Sequence, residues 1–206
     1  MMLGAVLVHP WIKHVIPLPP EQIMNEDGSK KNDSERNAGN RVLPQIRREH
    51  PKLKLIVLED GLASNGPHIK LLQEQDMRHI LSAKPKDHKF LFECVESSSE
   101  TTTLETVDSD GMQYRYLSKV PLNKSHSDLM VNFLECWETD PNGKRQHFSW
   151  VTDLRITTRN VEKIMRAGRA RWKVENETFN TLKNHGYHLS TISVMARNSW
   201  PQCSPT

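Results

Sequence analysis

The chain has 206 residues, with 28 Lys+Arg against 25 Asp+Glu and a formal charge of only +3. That length fits one or two domains, and the charge balance does not by itself mark a nucleic-acid binder, so any basic surface must come from local clustering. No window approaches the roughly 18–20 apolar residues of a membrane span, and the scattered cysteines Cys94, Cys136 and Cys203, with no CxxC pair, argue against a disulfide scaffold or zinc knuckle and for a reducing, cytoplasmic setting.

The opening apolar run, residues 3–8, lacks the positive flank and cleavage site of a signal peptide and predicts a buried strand ended by Pro10. Residues 15–18 predict a second strand, closed by Pro19-Pro20, and the two together a hairpin. Residues 25–32 are polar and predict a loop. Asn32, with Glu35 three residues on, predicts a helix start; Val42, Leu43 and Ile46 give the helix its apolar stripe and Pro51 its end. Residues 53–58 (Leu-Lys-Leu-Ile-Val-Leu) form the clearest strand, running into Glu59-Asp60-Gly61. A helix from near Pro67 to near Gln75 and a strand over 77–83 follow. This alternation argues for an α/β sheet with crossover helices.

The middle differs. Residues 97–109 are Thr/Ser-rich and β-prone, Asp108-Ser109-Asp110-Gly111 is a turn, and residues 112–120 alternate like a strand. Strands over 131–139 and 145–154 flank Asp140-Pro141-Asn142-Gly143, a strong hairpin signal. The block 96–154 therefore reads as an antiparallel β insertion following an α/β part over 1–95. One long helix is predicted from 158 to about 184, basic through Arg159, Lys163, Arg166, Arg169, Arg171, Lys173 and Lys183, and stopped by Gly186. Residues 190–206 show no periodicity and predict an irregular tail.

Few residues stand out for chemistry. Asp60 ends the best strand, where α/β folds place ligands, so it is a candidate metal ligand; its alternative is a loop-start Asp that caps the next turn. Glu175 shares a helical face with Arg171 and Phe179, four residues to either side, and ordinary Arg–Glu pairing is the plain alternative. Trp150 is either core or a stacking platform. His185 and His188 straddle Gly186 without partners, which argues against a metal role, and Lys30-Lys31 and Arg47-Arg48 read as solvated faces.

Three segments together carry a resemblance: Ile56-Val57-Leu58-Glu59-Asp60-Gly61-Leu62-Ala63-Ser64-Asn65, Trp150-Val151-Thr152-Asp153-Leu154, and Gly168-Arg169-Ala170-Arg171-Trp172-Lys173-Val174-Glu175-Asn176-Glu177 through Lys183. Over residues 1–189 the chain resembles DDE transposases of bacterial insertion sequences, whose RNase H-like catalytic domain is interrupted by a β-rich insertion. The last segment is similar to the family's Tyr-x2-Arg-x3-Glu-x6-Lys helix. Arg171 and Glu175 match its core, Gly168 stands where the family has Tyr, and Lys183 comes one residue late.

The resemblance implies an RNase H-like mixed sheet with crossover helices, with 155–189 as its catalytic helix. It implies Asp60 and Glu175 as catalytic carboxylates and ligands of Mg²⁺ or Mn²⁺, for in-line displacement at phosphorus. Arg171, Lys183, Lys173 and Arg169 would contact DNA, arginine suiting bidentate phosphate recognition, and Trp150 would stack a flipped base. The implied partner is double-stranded DNA at transposon terminal repeats, bound by a homodimer in a synaptic complex, with no membrane and a nucleoid-associated location.

The family's first catalytic Asp lies on a strand before the segment that here begins Met2-Leu3, so that strand is expected to be missing. Degenerate codons for residues 190–196, read one base out of frame, permit Glu-His-Asn-Phe-Gly-His-Gly, the family's continuation, so the tail is expected to follow a single-base deletion near codon 189. The expected function is that of a transposase catalytic fragment that does not cleave alone. The alternatives are a non-catalytic DNA-binding or inhibitory remnant and a non-functional pseudogene product.

Overall fold

The computed structural model describes residues 2–23, 33–105, 112–140 and 142–173. Strands β1 (Met2–Leu7) and β2 (Ile16–Gln22) form an antiparallel two-stranded sheet. Pro19-Pro20, expected to close β2, instead lie within it, as does Pro17. Proline removes an amide donor, which a strand with one unpaired edge tolerates.

Helix α1 (Glu35–Glu49) follows. Ser34 caps it by accepting from the Asn37 amide at 3.3 Å; Asn32, expected in that role, lies outside the described residues. Arg41 ties the helix to β2, donating to Glu21 at 2.6 Å and to the Gln22 carbonyl at 2.8 Å, and it also reaches Asp33 at 2.7 Å. The Arg47-Arg48 pair is not simply a solvated face. Arg47 donates to the carbonyls of Leu53, Gln75 and Asp76 at 2.9, 2.7 and 2.8 Å, which fastens the end of α1 to the turns beside it.

A second, six-stranded sheet has the order β3-β4-β8-β7-β6-β5. Strand β3 (Ile56–Glu59) pairs parallel with β4 (Arg78–Ser82) through the crossover helix α2 (Gly66–Glu74). Asn65 caps α2, accepting from the His68 amide at 3.1 Å. Gly66 opens the helix because a Cβ there would sit 2.6 Å from the His126 ring. Helix α3 (Lys89–Ser97) then leads to β5 (Thr102–Glu105), β6 (Gln113–Asn123), β7 (His126–Thr139) and β8 (Arg145–Thr152), all antiparallel. The insertion is not a separate sheet. Its last strand, β8, bonds to β4 with Leu81 opposite Val151 and Ser82 opposite Trp150.

Two cores cover the two faces. On one, Val42, Leu43 and Ile46 of α1, Ile69 and Leu72 of α2 and Leu91 and Val95 of α3 pack on Leu81, Leu117, Val131, Phe133 and Val151. Leu3, Ala5 and Leu18 of the small sheet, Leu55 just before β3 and Val57 within it join that same core. On the other, Ile80, Tyr114, Leu134, Cys136 and Trp150 receive Val161, Ile164 and Met165 of α4 (Val161–Arg169). Burial drives the Cys136 thiol up to about 12, which removes it from thiolate chemistry.

Between Leu117 and Val120, strand β6 carries one residue more than β7, where the partners are Phe133 and Val131. Lys119 takes a positive φ of 57° at this bulge, and its amide donates to Asn132 at 3.1 Å. Among the described residues nothing pairs with the outer edge of β3, where Ile56 is 45 % exposed. None of the described helices is long and apolar enough to cross a membrane.

Candidate functional site

Asp60 leaves the C-terminal end of β3 and is exposed. Its Oδ1 accepts from the Leu62 amide at 3.0 Å, so it closes a tight turn, as the plain alternative had it. Its neighbour Glu59 meets His68 Nε2 at 2.5 Å. Glu175 and Lys183, and with them His185 and His188, lie outside the described residues. Among the described residues no group of three His, Cys, Asp or Glu side chains could hold a metal ion.

Trp150 is 4 % exposed and lies in the core under α4. Its indole fills the room above Gly168, where a Cβ would stand 2.7 Å from Cε2 and Nε1. The ring stacks on Phe148 (centroids 6.1 Å apart, planes at 11°), and Phe148 in turn carries the Arg169 guanidinium 4.7 Å from its centroid. In this arrangement Trp150 offers no free face to a base. A side chain larger than glycine at position 168 would meet the indole.

The basic helix begins at Val161, not at residue 158, and its regular part closes at Arg169. Residues 174–184 of the expected helix lie outside the described residues. Several of its cations hold structure. Arg169 pairs with Glu138, and Lys173 Nζ donates to the carbonyls of His9, Pro10 and Ile12 at 2.6, 3.0 and 2.8 Å. Arg166 pairs with Glu162 at 2.7 Å, one turn away on the solvent side. Arg166, Arg169 and Lys173 together line a cavity of about 240 Å³, with Glu138, Met112, Met165 and Pro10. Arg171 lies 5.5 Å from the ring centroid of Trp172, which is 50 % exposed. Trp172 was not singled out by sequence reasoning, although a tryptophan beside Arg171 on a basic segment was the available signal.

Register sets the geometry of the site. Glu59 is level with Leu81, Leu81 with Val151, and Ser82 with Trp150. Asp60 follows Glu59, the last paired residue of β3, while on the neighbouring strands Ser82 is paired with Trp150. Gly168 packs against the Trp150 indole, so the last turn of α4 lies over β8.

His79, beside Val57 in the register and 1 % exposed, has both ring nitrogens without a hydrogen-bond partner. Burial pushes its pKa below the ordinary 6.5, outweighing Asp153, whose Oδ1 lies 3.7 Å from Nδ1. Burial lowers His88 as well. Both stay neutral in the fold while the unfolded chain takes up protons. Stability is therefore full above pH 6.5 and falls as pH drops through that value, until the folded imidazoles themselves protonate. Urea midpoints at pH 7.5 and 5 should show this loss, and His79→Leu should remove a share of the slope, at most about 1.4 kcal/mol per pH unit for one proton. A flat profile in the unaltered chain would contradict it.

No protein-family model matches the chain, and no curated protein matches it.

Proposed function

We propose that this chain is a DNA-binding piece of a DDE-type transposase, built on an RNase H-like sheet, that engages transposon-end DNA through α4 and does not cleave it unaided. The observation that carries the reading is that the basic helix α4 packs over Ile80 of β4 and Trp150 of β8, on the sheet whose strand β3 runs into Asp60; in the resembling family a strand-borne carboxylate and a helix-borne one would meet a phosphodiester. The parallel β3-α2-β4 unit, continued by an antiparallel insertion whose last strand leads into α4, supports the same reading.

Asp60 is the one member of the implied carboxylate set within the described residues. The roles of Glu175, of Mg²⁺ or Mn²⁺ and of a synaptic dimer belong to the proposal on the resemblance alone. What α4 contributes is electrostatic: Lys163 and Arg166 are exposed, and Arg166 lines the cavity together with Arg169 and Lys173. Binding to duplex DNA should weaken steeply with salt, and Arg166→Ala should reduce the slope of log affinity against log salt by about one. Absence of DNA affinity at low salt would reject the reading. Robust strand cleavage with Mg²⁺ or Mn²⁺, abolished by Asp60→Ala, would overturn the claim that the chain does not cleave unaided.

A further inference from the structure

On the sheet face opposite α4, beyond the end of α3, the distal parts of β6, β7 and β8 carry Arg115, Glu135, Trp137, Arg145 and His147 side by side. Register places them on one face: Arg115 is opposite Glu135, Trp137 opposite His147, and Thr139 opposite Arg145. The Trp137 and His147 rings stack with centroids 5.1 Å apart and planes at 16°. The guanidiniums of Arg115 and Arg145 lie 5.6 and 5.3 Å from the Trp137 centroid. Glu135, 1 % exposed, anchors the group from below, accepting from Arg115 and meeting His147 Nε2 at 2.9 Å. Phe92 of α3 packs against Phe133 and His147 and marks where the apolar cover ends.

We infer that this face is a binding surface for single-stranded nucleic acid, separate from α4. The surface combines what such a polymer needs. Stacked rings and guanidinium planes accept unpaired bases of any identity, and the same arginines meet phosphates. Lys144, just before β8, and Arg145 within it are exposed, and the carboxylate of Glu135 is buried. Glu138, the remaining carboxylate on this stretch of β7, points to the other face and pairs with Arg169. An apolar partner protein would have to desolvate this cationic layer, whereas a polyanion is drawn to it.

The inference uses residues that the transposase reading does not, and the experiment separates the two. The whole chain is titrated against a labelled mixed-sequence oligodeoxynucleotide, single-stranded in one arm and duplex in the other. Trp137→Ala should weaken single-strand binding about tenfold, through lost stacking. Arg145→Ala, an exposed change that leaves the fold in place, should lower the salt slope of that arm by about 0.7. Single-strand affinity that is absent, or unmoved by both variants, overturns the inference. Duplex binding that ignores Arg166→Ala while the single-strand arm responds to Trp137→Ala would instead remove the transposon-end reading and leave this one standing.

Discussion

Trp150→Ala should destabilise the protein by about 3–5 kcal/mol, the range for truncating a buried tryptophan. Against a typical total of about 5–15 kcal/mol, that is enough to leave much of the chain unfolded at moderate temperature. The indole is the joint between sheet and helix: it is 4 % exposed, packs with Ile80, Leu134 and Met165, and fills the space over Gly168. A second substitution tests that account by its sign. Gly168→Ala places a methyl 2.7 Å from the indole, so it should cost about 1–3 kcal/mol by overpacking. With Trp150 already cut to alanine the clash is gone, and the same change should stabilise by up to about 1 kcal/mol through helix propensity. Urea denaturation of the two single variants and the double variant measures the coupling. Additive effects would show that the helix does not rest on the indole.

The second large effect is expected at Glu135. Its carboxylate is 1 % exposed and held by Arg115 and His147. Removing one partner from a buried ion pair leaves a charge uncompensated, so Arg115→Ala should cost about 3 kcal/mol or more. The comparison that isolates the cause is the double variant Arg115→Leu with Glu135→Leu. It removes both charges and should restore most of the lost stability. If the double variant is as unstable as the single one, then packing by the arginine stem, not the buried charge, carries the cost. Such a pair adds little stability for what its burial costs, which agrees with a role in holding Arg115 and His147 in place for a ligand.

Much of the architecture was legible because it rests on local pattern. The run 53–58 and the segment 77–83 became the parallel pair β3 and β4, and Asp140 to Gly143 joined β7 to β8. What was not legible depends on neighbours. Helix α3 was not anticipated, although Phe90-Leu91-Phe92-Glu93-Cys94-Val95 supplies its apolar content, because a short apolar run does not distinguish helix from strand. Pro19 and Pro20 read as breakers because sequence does not show that β2 is an edge. The first half of β7, residues 126–130, was passed over because it opens on three polar residues, His126, Ser127 and Asp128, and buries only Leu129. In the site, Asp60 at the strand end was readable from position alone. The burial of Trp150 was one of two readings, and only Gly168 across from it shows which applies to this state. The cluster around Trp137 was invisible because its members come from three strands and meet only through register.

The extra residue in β6 has a consequence for how this protein tolerates insertions and deletions. Before it, Leu117 faces the core on an odd position; after it, Val120 and Leu122 face the same core on even ones. The strand is thus two half-strands out of phase, with Lys119 as the phase shift. Deleting a single residue at 118 or 119 would not shorten a loop. It would rotate everything from Val120 to the turn by half a period, or drag β7 out of step with β8, and either way turn buried side chains toward water. The chain can thus lose or gain residues at the Asp140 hairpin far more easily than at this inconspicuous serine and lysine.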